Sequence, residues 1–158
     1  MIKRKLNREQ LRRILAPDVE NERLDALELA GTLRKFADCY LRGVMTVDVI
    51  GTANGYVNIK LPVLSYLIRL IAEVVDDEPA HCTVRLSDRV EIETHYPKIA
   101  DDSMTAYLID VAKLTGFKVK RASDILYFST DIITSPLMKI YATSQEKIME
   151  YLVIVWEM

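Results

Sequence analysis

The sequence predicts an α+β fold, a two-layer α/β sandwich with helices gathered on one face of a mixed, mostly antiparallel sheet. Three observations lead there. Runs of strand-like alternation and helical stripes follow one another in the order α-α-β-β-α-β-β-α-β-β, with a tail behind them. No internal repeat or low-complexity linker interrupts the 158 residues, so a single domain spanning 1–158 is expected. Half the residues are apolar and 28% are charged, which is the composition of a chain that buries a core.

The first element is a short helix opened by Asn7-Arg8-Glu9-Gln10, a capping box with Asn7 at the N-cap. It carries Leu11, Ile14 and Leu15 and stops near Pro17. A second helix is expected over 22–42, with Leu29, Leu33, Phe36 and Tyr40 at helical spacing and Gly43 as its stop. Met45–Val49 alternates as a strand. Asn54-Gly55 then marks a turn, and Tyr56–Ile59 is expected to pair back on that strand. Residues 62–76 form the next helix, with Pro62 in its first turn and Leu64, Leu67, Ile68, Ile71 and Val75 along one side.

Strands follow near 83–87 and 90–96, joined by a tight turn at Asp88-Arg89. Asp101 or Asp102 can cap a helix through Met104, Tyr107, Leu108 and Val111 that Gly116 closes. Strands near 117–122 and 125–133 come after it. Residues 1–43 thus form the N-terminal helices, 44–135 the sandwich, and 136–158 an added tail. In that tail Tyr151–Trp156 reads as a strand, with a helix from Gln145 as the alternative; either must be buried, because such a run left exposed would aggregate.

Charge and composition restrict function. Twenty-one cations stand against 23 acids, a net charge of −2, which argues against nucleic acid as a partner. The basic start, six Lys or Arg in the first thirteen residues, reads first as a solvated helix face. No apolar run is long enough for a membrane span, and the start lacks a signal-peptide core. With two cysteines and no disulfide framework, a cytoplasmic protein is expected.

Catalytic constellations are sparse. His81, Cys82, His95 and Glu93 could be brought together around a metal, but no paired-ligand motif is present, and His81 and Cys82 are consecutive and so face opposite ways on a strand. No metal and no cofactor is expected. Cys39, inside a helix, reads as a small buried hydrophobe rather than a nucleophile. The acidic clusters Asp76-Asp77-Glu78 and Asp101-Asp102 fall at helix ends, where capping and solvation explain them. Five glycines cannot build a P-loop or a GxGxxG turn.

Several strings, taken together, resemble the ATP-binding domain of sensor histidine kinases and their relatives in the gyrase and MutL superfamily, whose fold is the Bergerat sandwich. Leu24–Arg42 with Gly43–Val47 resembles the lead-in helix and strand. Leu61–Val75 is similar to the N-box helix. Thr83–Ser87 and Val90–Tyr96 resemble the strand pair before the adenine-binding aspartate, and Ser103–Asp131 the last helix and closing hairpin. The resemblance covers about residues 24–133.

It implies as much by its departures. Glu73 stands where the family has a magnesium-binding Asn, and His95-Tyr96-Pro97-Lys98-Ile99 replaces the DxGxG motif. The 97–102 segment is too short for the glycine-rich lid, and no His precedes His81 to accept phosphate on the N-terminal helices. The resemblance therefore implies a degenerate, non-catalytic relative, acting through contacts with a protein partner or a second copy, in signalling of the two-component type. ATP binding is not expected. The alternative it leaves is an ATP or small-ligand binder with an altered pocket lined by Arg69, Glu73, Asp77 and Tyr96. Candidate interface residues are Leu11, Ile14, Leu15, Leu33, Phe36 and Tyr40, unless they pack within the chain.

Overall fold

A computed structural model describes residues 6–73, 79–95, 102–122, 125–134 and 142–158. Along the chain run α1 (Arg8–Ile14), β1 (Glu22–Asp25), α2 (Ala26–Tyr40), β2 (Met45–Gly51), β3 (Tyr56–Ile59) and α3 (Leu61–Glu73). They are followed by β4 (Ala80–Leu86), β5 (Arg89–His95), α4 (Asp102–Thr115), β6 (Lys118–Ala122), β7 (Ile125–Asp131) and α5 (Gln145–Glu157). The main sheet has the order β2-β4-β5-β7-β6, with β2 parallel to β4 and every other neighbour antiparallel. A second, two-stranded sheet pairs β1 with β3. The expected α+β class and mixed sheet are what the molecule has.

Alternation along the strands fixes the two layers. Val47, Cys82, Val84, Ile92, Leu126 and Phe128 are buried on one face. The other face presents Thr46, His81, Arg85, Glu93, Tyr127 and Lys120. α2 packs along β2 and α4 along β6, while α3 meets both α4 and α5. α3 is nearly apolar all round, and every residue from Val63 to Ala72 is buried. A helix of that kind has to be enclosed, and α1, α4 and α5 all pack against it.

Local signals act as read at several points. Asn7 accepts from the Gln10 amide, and the Gln10 side chain accepts from the Asn7 amide, at 2.9 and 3.0 Å. Gly116, at φ +115°, ends α4, and its amide donates to the Lys113 carbonyl.

Three expectations are corrected. The helix expected over 22–42 begins at Ala26: Glu22–Asp25 is a strand, and Asp25 caps α2 by accepting from the Glu28 amide. β3 pairs with β1 rather than with β2, so Asn54-Gly55 is no hairpin turn; β2 lies instead beside β4, in parallel register. Tyr151–Trp156 is helix, not strand. Ser144 caps α5, and Ile148, Leu152, Val155 and Trp156 are its buried stripe at four-, three- and one-residue steps. The stretch Met138–Thr143, strand-like in sequence, lies outside the described residues up to 141, and its Thr143 forms an isolated parallel bridge with Leu24.

Gly51 and Gly55 are each required by a close approach. A Cβ on Gly51 (φ +88°) would stand 2.4 Å from the Leu86 carbonyl oxygen, and one on Gly55 (φ +146°) 2.6 Å from that of Ile133. The Gly55 crossing holds Ile133 against Tyr56, while Thr143 donates its amide to the Arg23 carbonyl. Lys147 reaches Glu22 at 2.6 Å. The small sheet thereby anchors the chain on its way into α5.

Candidate functional site

The best-defined polar cluster sits where α3 meets the end of α5. Arg69 lies in the last turns of α3 and is 1% exposed, a burial that a cation tolerates only with partners. Its Nε donates to Glu73 Oε1 at 2.9 Å. Its Nη1 donates to the carbonyl oxygens of Val155 and Met158, both at 2.9 Å. The closing carbonyls of a helix have no amide beyond them to accept from and carry its negative dipole end. The Arg69 guanidinium supplies both the missing donors and the complementary charge. Glu73, 22% exposed, keeps part of its carboxylate in water.

A second pair extends the cluster along α3. The hydroxyls of Tyr66 and Tyr107 meet at 3.1 Å, joining α3 to α4. Burial, with the Tyr107 contact adding to it, holds the Tyr66 phenol well above its ordinary range. Held that way, the Tyr66 phenol is a hydrogen-bonding group rather than an acid or base poised near neutrality.

Of the four residues nominated for a pocket, Arg69 and Glu73 are thus in contact with each other. Asp77 and Tyr96 lie outside the described residues. Sequence reasoning missed the end of α5 as the occupant of this corner, and it missed Tyr107. The four-residue spacing of Arg69 and Glu73 on a helix was a signal for their pairing. Nothing local announces the Val155 and Met158 carbonyls.

The candidate interface residues divide. Ile14, Leu33 and Phe36 are buried in the chain's own core, and Leu11 and Leu15 pack partly against it. Tyr40 is 41% exposed, its ring stacked on Phe36 at 5.2 Å between centroids. Nearby on the helical layer, a groove of about 600 Å³ runs between α2 and α5, lined by Thr32, Lys35, Glu146, Met149, Glu150 and Ile154 among others.

The His and Cys residues separate as strand alternation requires. His81 and His95 are register partners on the open face, and Cys82 points into the core. His81 Nδ1 meets Thr46 Oγ1 at 2.6 Å, and His95 Nε2 meets Glu93 Oε2 at 3.1 Å. That contact holds the Glu93 carboxyl below the usual range. Burial pushes the Cys82 thiol up to about 11, away from the thiolate a nucleophile needs. Cys39, expected to be buried, is exposed near the end of α2; its position follows one of the helix's outward turns. No three His, Cys, Asp or Glu side chains gather around a point that could hold a metal among the described residues. Among the same residues, no helix is long and apolar enough to cross a membrane.

No family model matches the sequence, and none of the curated proteins matches it. Among solved structures, the nucleotide-free catalytic domain of the histidine kinase ThkA is similar to this chain, with a TM-score of 0.42 and 13% identity. The alignment takes in 74% of this chain and 99% of that one. This likeness assigns no residue a role.

Proposed function

We propose that this chain is a non-catalytic domain of the histidine-kinase ATPase type that works as a protein-interaction or regulatory module in signalling. One observation carries the reading. The α3 positions that the sequence resemblance would turn toward a nucleotide are occupied: Arg69 is buried and donates to the last carbonyls of α5, and Glu73 is its ion-pair partner. A triphosphate entering there would have to displace the end of a helix whose Val155 and Trp156 belong to the core. Glu73 would also add negative charge facing the phosphates.

With nucleotide chemistry set aside, what remains is surface. The open sheet face is a mosaic of both charges, and the helical layer offers Tyr40 and the α2–α5 groove. Such a domain serves by holding a fixed shape against a protein partner in the cytoplasm.

Isothermal calorimetry of the purified protein with ATP and ADP, each with and without magnesium, tests this. No heat and no thermal shift at millimolar nucleotide is the expected result, since a ligand that binds only the folded state must raise its melting temperature. Saturable, magnesium-dependent binding that disappears in Glu73→Ala would overturn it in favour of an altered but working pocket.

A further inference from the structure

We propose that the outer edge of β6 receives an extended acidic segment of a protein partner as an additional strand of the main sheet. The inference rests on the interaction-module reading and names where and what such a module would bind.

β6 is the last strand of the sheet order, and no described strand pairs with its outer side. An edge of this kind presents backbone donors and acceptors at a strand's spacing. The segment 113–122 contains Lys113, Lys118, Lys120 and Arg121 and no acid, in a chain whose net charge is −2. All four side chains are exposed.

Their placement suits a strand rather than a diffuse anion. Lys118 and Lys120 stand opposite Ser129 and Tyr127, on the open face, two residues apart. That repeat, roughly 7 Å, is the one at which a neighbouring strand presents side chains on the same face. Val119, between them, turns toward the core opposite Phe128 and is half-buried. The fitting occupant therefore has acids at alternate positions across from Lys118 and Lys120, and an apolar residue between them.

Lysines on an edge strand also serve to prevent pairing. Here the other edge, β2, has the sequence Met45–Gly51 with one acid and no cation, so cationic shielding is not how this chain treats its edges in general. The ion pair of Lys118 with Asp131 is weak, at 3.8 Å with both side chains largely exposed.

The test is an amide-shift titration of the full ¹⁵N-labelled chain with a capped peptide of alternating Glu and Val at low salt. The same peptide N-methylated on the edge that would face β6 serves as comparison. Expected are shifts centred on β6 and β7, loss of binding on N-methylation, and affinity weakened about tenfold or more in Lys118→Glu/Lys120→Glu, where two attractions become repulsions. The neutral pair Lys118→Gln/Lys120→Gln, whose fold is checked by its own amide spectrum, should give an intermediate loss. Binding that survives N-methylation, shifts centred elsewhere, tighter binding of a single-stranded oligonucleotide, or no binding would each overturn the proposal. Calorimetry with nucleotide tests the interaction-module reading with a different ligand, so either result can fail while the other stands.

Discussion

Replacing Arg69 by Met keeps most of the buried stem and removes the guanidinium, which makes it the sharpest perturbation of the α3–α5 corner. The Val155 carbonyl, buried at its contact with Arg69, loses its charged donor. An acceptor left unsatisfied in such a place costs about 1–3 kcal/mol. The Met158 carbonyl is partly exposed and can turn to water, so its loss, with the helix-end charge effect, is worth roughly 0.5–1 kcal/mol. Glu73, already partly solvated, adds about 0–1 kcal/mol. The expected total is about 3 kcal/mol, or roughly 6–12 °C in melting temperature for a domain of this size. Urea denaturation gives the first figure and calorimetry the second. Native-state hydrogen exchange should show the loss concentrated in α5, because Arg69 holds that helix by its end. Arg13→Met, which breaks an exposed pair with Glu9, is the control and should change stability by less than about 0.5 kcal/mol. A cost below about 0.5 kcal/mol for Arg69→Met, or one that leaves α5 exchange unchanged, would refute the reasoning.

Other outcomes follow from the same structure. Gly51→Ala should destabilise by about 2 kcal/mol or more, since the new Cβ meets backbone at a positive φ, whereas Gly31→Ala, with open space within α2, should stabilise by roughly 0.5–1 kcal/mol; urea midpoints separate the two. Ellman's reagent at mildly alkaline pH should titrate Cys39 quickly and Cys82 only after unfolding, because burial keeps the Cys82 thiol protonated. The Glu93 carboxyl, held low chiefly by the contact from His95, contributes stability above its unfolded value of about 4.3, and this is lost as pH falls through the lower folded value. Glu93→Gln should therefore flatten the acid side of the stability profile, read as urea midpoint against pH.

How far the sequence carried can be judged from particular elements. Asn7 with Gln10, the apolar run of α3 and Gly116 are local signals, and local physics was sufficient for them. β1 was hidden because Glu-Arg-Leu-Asp has no strand propensity of its own and exists by pairing with β3 across intervening sequence. Asp25 followed by Glu28 did mark the true start of α2. α5 read first as a strand because Tyr151–Trp156 is rich in β-branched and aromatic residues; the alternative, a helix from Gln145, is the one that forms, and the stripe from Ile148 to Trp156 with Ser144 ahead of it was its signal. The Arg69 corner was legible only by half. Its partner in α3 is four residues away, but its partners in α5 are carbonyls 86 and 89 residues distant.

The central claim is that the end of α5, and not a nucleotide, completes the α3 corner. Hydrogen-exchange mass spectrometry of α3 and α5 with and without millimolar Mg-ATP tests it most directly. The account predicts superimposable exchange in both helices. Added protection in α3 together with faster exchange at the end of α5 would mean that nucleotide displaces the helix, and would contradict it.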